Sequence, residues 1–282
     1  MDFRRFDKAI DFQVTAAALL DQRPAENSLM IGIVARLVED GDAEAADPEK
    51  RPLLCVVEEA GRVAAAAVRT PPHPLVVSRA PSQTLAFMAE RLHADGVSLP
   101  GVNGPKPASE AFSDAWARLS GQQARVEMSL GAYRLDRVSA VPKVPGRLVQ
   151  AGVDDTELLV TWARGFQQDV HGEPADVRPM VQKRLANGEI FLWVDGQAVS
   201  MAASTRPTPV GIGVNLVYTP PSLRRRGYAT ATVAALSQRL LDAGHRRCFL
   251  FTDLANPTSN SIYQRIGYER VCDFQHYDFV PE

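Results

Sequence analysis

The strongest constraint on this chain is a pattern that appears twice, once on each side of a short segment of linker chemistry. That segment, Ala140–Gly146, carries two prolines and a glycine almost at the midpoint. Before it, Leu53–Val57 and Val63–Val68 read as two paired strands around a turn at Glu59–Arg62. They lead into Arg69-Thr-Pro-Pro72 and a short strand at Pro74–Ser78. After it, Ile190–Val194, a tight turn at Asp195-Gly196 and Ala198–Ala203 repeat the arrangement. Arg206-Pro-Thr-Pro209 and a strand at Val214–Thr219 follow.

The downstream segments correspond as well. Thr84–Ala94 and Tyr228–Ala243 both space apolar residues for a helix, with Gly96 and Gly244 as stops. Each is followed by a short strand and a second helix, Ser109–Leu119 in one half and Ser259–Ile266 in the other. Strand-like sequence closes each half, at Arg125–Leu130 with Tyr133–Leu135 and at Arg270–Phe279. Helical segments open each half, among them Thr15–Leu20 and Asp155–Phe166. Duplication of one α/β domain is the economical reading, with a first domain over 1–140 and a second over 146–282. A length of 282 residues with 45% apolar residues suffices for two ordinary cores.

Bulk properties narrow the partners. A formal net charge of −2 argues against nucleic acid or an anionic membrane as the main partner. Met1–Asp7 is charged and has no secretory apolar core, and no run approaches the roughly 18 apolar residues that span a bilayer. Cys55, Cys248 and Cys272 are odd in number and isolated, and each sits in a strand-like stretch that predicts a buried free thiol. The five histidines, His73, His93, His171, His245 and His276, show no paired spacing, so no metal site is expected. The expectation is a reduced, cytoplasmic protein, a monomer or a homodimer.

The chemistry concentrates in Val217–Thr230, where a strand passes through a proline-marked turn into a helix predicted to begin near Arg226. A helix start leaves about four N–H groups unpaired and carries roughly half a positive charge. Gly227 and Ala229 leave the main chain bare enough for a pyrophosphate, and Arg224, Arg225 and Arg226 add phosphate donors. A solvated basic helix start fits the same residues. Further on, Cys248–Asp253 reads as a strand, Leu254–Pro257 as a loop and Thr258–Tyr268 as a short helix closed by Gly267. Thr258 or Ser259 could cap that helix, and Ile262 and Ile266 share a face with Tyr263 beside them.

Two separated motifs in this order resemble the GNAT acyltransferases. Arg224-x-x-Gly227-x-Ala229 is similar to that superfamily's Gln/Arg-x-x-Gly-x-Gly/Ala signature, and Asn256–Tyr268 to its Asn-to-Tyr segment. The resemblance covers about Gly146 to Glu282. It implies two tandem GNAT-like α/β domains, each a mixed, mostly antiparallel central sheet flanked by helices. It also implies acetyl-CoA as acyl donor, an amine of a small molecule or a protein as acceptor, and no metal. Under it, the backbone of Arg224, Arg225, Arg226, Gly227, Tyr228, Ala229 and Thr230 binds the pyrophosphate. Val217, Tyr218 and Thr219 pair with the pantetheine arm as a pseudo-strand. Asn256 contacts the pantetheine with Asn260 nearby, and Tyr263 lies near the thioester sulfur and protonates the departing thiolate. The alternative for Tyr263 is a core residue with a polar handle, and the flanking motif favours the catalytic role.

Many relatives carry a Glu on the fourth strand as the base. Here Gly213–Thr219 has no carboxylate, which leaves Asp169, His171 and Glu173, expected in the loop after the opening helix, with Glu173 preferred. The first half resembles a degenerate copy. Its counterpart turn, Val77–Thr84, lacks the Gly-x-Gly/Ala pair, and the helix after Asn103–Ser109 offers Phe112 and Trp116 but no tyrosine. A non-catalytic module that binds acyl-CoA as a regulatory ligand is the competing function.

Overall fold

A computed structural model describes residues 1–41, 51–171 and 176–281. The first strand, β1 (Asp2–Arg5), is followed by helices α1 (Ala9–Leu20) and α2 (Ser28–Asp40) and strands β2 (Leu53–Glu59), β3 (Arg62–Arg69) and β4 (Leu75–Val77). Then come α3 (Ser82–Ala94), β5 (Gly101–Pro105), α4 (Lys106–Ser120) and β6 (Gln123–Leu135). The series restarts with β7 (Arg147–Gln150), α5 (Thr156–His171), α6 (Arg178–Ala186), β8 (Ile190–Asp195), β9 (Gln197–Thr208) and β10 (Gly211–Tyr218). It closes with α7 (Tyr228–Asp242), β11 (Cys248–Asp253), α8 (Pro257–Ile266) and β12 (Glu269–Val280).

The chain divides into two compact units. One holds Met1–Tyr133, Phe251–Asn256 and Arg270–Glu282; the other holds Arg134–Leu250 and Pro257–Glu269. In the first unit the strand order is β1-β2-β3-β4-β5-β12-β6, with β4 and β5 parallel and the β1–β2, β2–β3, β3–β4 and β5–β12 pairs antiparallel. In the second it is β11-β10-β9-β8-β7, with β10 and β11 parallel and the other pairs antiparallel. In each unit the strand pairing is mixed and mostly antiparallel, as the GNAT resemblance implies.

Period-two alternation explains why each sheet is covered on both faces. Along β2, Leu53, Cys55 and Val57 join the core under α3 and α4, while Leu54 and Val56 join the core under α1 and α2. The alanine run of β3 divides in the same way, Ala65 and Ala67 to one side and Ala66 to the other. Both faces are dry, so the strands read as apolar runs rather than as alternating sequence. In the second unit Ile190 and Leu192 of β8 meet α5 and α6, and Trp193 meets Tyr228 and Ala231 of α7 on the opposite face.

Three local differences from the sequence reading have plain causes. β6 is one strand, not two, because Gly131 lets the backbone continue beside Tyr133, whose Cε2 would lie 2.7 Å from an added Cβ. β9 runs on past Ala203, where the sequence ends it, through Arg206 and Pro207 to Thr208, because Thr205 and Thr208 keep the pairing with Gly213 and Gly211 of β10. Asn103 lies within β5, not in a loop. Cys55 and Cys248 are buried free thiols and Cys272 is half-buried; burial pushes all three up to about 12. No described helix is long and apolar enough to cross a membrane, and no group of His, Cys, Asp or Glu suited to a metal occurs among the described residues.

Candidate functional site

The geometry of the candidate site begins with the way β10 ends. β10 pairs with β11 only at Ile212–Cys248 and Gly213–Phe249, and from Val214 onward β9 is its partner. Between Asn215 and Tyr218 the register with β9 slips by one residue, and Leu216 adopts φ +52°. A non-glycine residue in this region marks a β-bulge that re-aims the backbone and leaves main-chain groups outside the ladder. Nothing in Val214–Thr219 announces this bulge in sequence, since its buried leucine has no special propensity for positive φ.

Beyond the strand, Pro221–Leu223 forms a single tight turn and α7 starts at Tyr228. The three arginines therefore all precede the helix, which starts two residues later than the start near Arg226 that the sequence predicts. Arg225 at φ +64° and Gly227 at φ +85° break the helical path before Tyr228. Arg224 itself is extended, and two left-handed residues within three positions turn the main chain away from the helical path and present its N–H groups beside the start of α7. They meet the unpaired N–H groups of the α7 N-terminus. A Cβ on Gly227 would lie 2.9 Å from Val144 Cγ1, so the linker's last residues pack against this turn.

The side chains of the turn are used differently from expectation. Arg224 donates through Nε to the Thr219 carbonyl (2.9 Å), donates through Nη2 to Asp169, and stacks 5.7 Å from the Tyr218 ring. Its guanidinium is committed to protein partners. Arg226 donates to the Ser222 carbonyl at 3.3 Å, and Arg225 is exposed. Tyr228 donates its hydroxyl to Asp195 Oδ2 at 2.7 Å, which ties the first residue of α7 to the hairpin after β8. Ala229 is half-buried and Thr230 buried in the first turn of α7. Ser200 donates to the Tyr218 carbonyl (3.1 Å) and Thr219 donates to Ser200 Oγ (2.9 Å), which fixes the strand end.

Tyr263 sits in the middle of α8, buried with Ile266, while Ile262 is half-buried. Burial pushes the Tyr263 hydroxyl up to about 12, so it keeps its proton at any physiological pH. Its ring meets that of Tyr268 edge-on with centroids 6.0 Å apart, and the Tyr268 and Ser237 hydroxyls lie 2.9 Å apart. α8 starts at Pro257, whose missing N–H suits a first helical position, so neither Thr258 nor Ser259 is the cap. Asn256 precedes it and donates its N–H to the Asp253 carbonyl; Asn260 is half-buried on α8.

The base candidates separate. Asp169 and His171 belong to the last turn of α5 and not to a loop, because the helix continues through His171. Asp169 is ion-paired with Arg224. Glu173 lies outside the described residues. Gly165 of α5 permits a close approach by Tyr218, whose hydroxyl would clash with an added Cβ.

A parallel strand pair that opens after two rungs, a bulge beside the opening and a positive-φ turn into a long helix together form a distinctive arrangement. Residues 193–278 match the family described as "FR47-like protein". No curated protein matches in sequence. Among solved structures, a Drosophila protein matches with a TM-score of 0.70 at 13% identity, over 99% of this chain and 98% of its own. A GCN5-related N-acetyltransferase from Sphaerobacter thermophilus matches at 0.61 and 15%, over 99% and 96%. A tandem GNAT protein from the clavulanic acid biosynthesis pathway matches at 0.55 and 15%, over 98% and 97%. The fold is that of the tandem GNAT proteins. In each unit a strand leads into a long helix, β4 into α3 in the first and β10 into α7 in the second.

Proposed function

We propose that this protein is an acyl-CoA-dependent N-acyltransferase whose chemistry lies in the second half, residues 146–282, with a first half that has lost it. The observation that carries this reading is the turn Arg224–Gly227. Its two left-handed residues bare a row of N–H groups at the start of α7, beside the point where β10 leaves β11. A diphosphate fits such a turn and helix start through the backbone of Arg225 to Thr230. Because Arg224 is committed to Asp169 and Thr219, recognition falls to the main chain and to Arg225 and Arg226. The free edge of β10 at Val217 accepts the pantetheine arm as an added strand, with Asn256 and Asn260 as further amide contacts.

The acceptor amine attacks the thioester carbonyl carbon, a C–N bond forms and the C–S bond breaks. Main-chain donors at the Leu216 bulge stabilise the carbonyl oxygen as its charge grows. The thiolate leaves with a proton from Tyr263, whose buried hydroxyl is held neutral for that purpose. The ammonium proton of the acceptor goes to water or to Glu173. Holding amine and thioester together supplies much of the acceleration. The protein acts as a soluble cytoplasmic monomer or homodimer on a small-molecule or protein amine.

Calorimetric titration with acetyl-CoA tests the cradle in the wild type and in Gly227→Glu, which adds bulk and negative charge. Binding in the wild type that is lost in the folded variant supports the site; folded wild type that binds no acyl-CoA sinks it. Turnover with an amine panel then separates the enzyme from a non-catalytic acyl-CoA-binding module, the reading favoured by the ion-paired state of Asp169 and the absence of a carboxylate on β10.

A further inference from the structure

The first half has a cavity of its own. It is a half-open cleft of about 340 Å³ beside the turn between β4 and α3, within the size range of small-molecule sites. Its wall includes Arg23, Glu26 and Asn27 from the segment after α1, Ala64 of β3, and Ser78 and Arg79 of the turn. Three of these polar residues are themselves deeply buried: Glu26 is 3% exposed, Asn27 6% and Ser78 2%. Asn27 donates to the Leu20 carbonyl and Ser78 Oγ accepts from the Ala66 N–H, so the polar wall is braced from behind.

Glu26 gives both oxygens to one edge of Arg79, at 2.9 Å from Nε and 3.0 Å from Nη2. A buried carboxylate carries a desolvation penalty and contributes little net stability as an ion pair. What it supplies is orientation. A guanidinium has five N–H donors; two go to Glu26, and among the described residues no other acceptor takes the remaining three. Arg23 is exposed and enters no ion pair among the described residues. Two arginines against one carboxylate leave the cavity wall with a surplus of one positive charge.

From this cavity, its buried Glu26–Arg79 pair and Arg23 beside it, we infer that the first half binds a small oxyanion, a carboxylate or a phosphate. Arg79 and Arg23 are the donors and Glu26 is the positioning residue that holds the Arg79 fork. The site is distinct from an acyl-CoA site. Its turn lacks a left-handed residue, and Pro81, which caps α3, has no N–H to offer a diphosphate.

Ligand-observed NMR on the full-length protein tests this, with saturation transfer to succinate and the ³¹P line width of inorganic phosphate. At least one of the two anions is expected to bind the wild type and to bind Arg23→Glu about tenfold more weakly, the loss of one charge-assisted contact. Ala64→Leu fills the cavity without altering a charge and is expected to abolish binding. It serves as the independent check should Arg23→Glu misfold. Gly227→Glu is expected to bind the anion as the wild type does. The inference is overturned by folded wild type that binds neither anion, or by Ala64→Leu that binds as well as wild type. Loss of binding in Gly227→Glu, which would assign the anion to the other half, also overturns it, as does displacement of the anion by acetyl-CoA in that variant.

Discussion

Two turns follow the same path from a strand into a helix and differ in what they offer a ligand. In the second half, Thr219–Tyr228 holds Arg225 at φ +64° and Gly227 at φ +85°, and its main chain is bare. In the first, Ser78–Ser82 has no left-handed residue, ends in Pro81 and sends its arginine inward to Glu26. Each turn carries arginine, and in each an arginine is paired with a carboxylate. An arginine–carboxylate pair therefore does not separate the two. Backbone conformation does, and so does the depth of the carboxylate: Glu26 is 3% exposed and Asp169 47%.

That difference in depth predicts the largest effect. Arg79→Ala strands a buried charge and is expected to cost about 3–5 kcal/mol in chemical denaturation. A loss below about 1 kcal/mol would mean that Glu26 is not held by Arg79 alone. Next comes Tyr263→Phe, which gives α8 the chemistry of α4, whose buried aromatics are Phe112 and Trp116. It is expected to lower kcat on the order of 100-fold while leaving acyl-CoA affinity unchanged; an unaltered kcat would reduce Tyr263 to a packing role. The same variant has a pH signature. Burial raises the Tyr263 pKa from its ordinary value of 10 to about 12, so the folded state holds this proton more tightly than the unfolded chain. Its contribution is complete below pH 10 and is lost as pH rises from 10 to 12. The wild type should therefore lose on the order of 2 kcal/mol more than Tyr263→Phe across that interval.

Smaller effects sharpen the contrast. Gly227→Ala meets both a positive φ and Val144, and is expected to cost about 1 kcal/mol in stability and to weaken acetyl-CoA binding. Equal binding by this variant would remove the backbone from the account. Arg224→Ala breaks a half-exposed pair and should change stability by less than about 1 kcal/mol, with little change in acetyl-CoA affinity. A large loss of affinity would return Arg224 to phosphate recognition.

Much of the fold could be read from sequence because both faces of each sheet are buried: β2, β3, β8 and β11 are apolar runs with turns between them. The positions of Gly227 and Tyr263 within the second copy could also be read, since each lies in a spaced motif. The Leu216 bulge could not, because positive φ at a leucine is imposed by the strand pairing and leaves no compositional trace. Nor could the commitment of Arg224, since a sequence does not say that α5 extends far enough to bring Asp169 to it. Nothing in the sequence marks Glu26; only the fold reveals that it is buried against Arg79. The sequence presented two consecutive halves, whereas the first compact unit also takes in Phe251–Asn256 and Arg270–Glu282.

That last feature bears on how the protein is made. β12 lies between β5 and β6 in the sheet of the first unit, so this sheet stays open until the ribosome has translated the second copy as well. Domains that fold as they emerge do so in order of synthesis. Here the earlier domain must wait, with the flanks of β5 and β6 unpaired, for a strand that is translated only after α7, β11 and α8. A ribosome that stalled after the linker would release a first copy lacking a central strand, a species for chaperones to hold rather than a functional fragment.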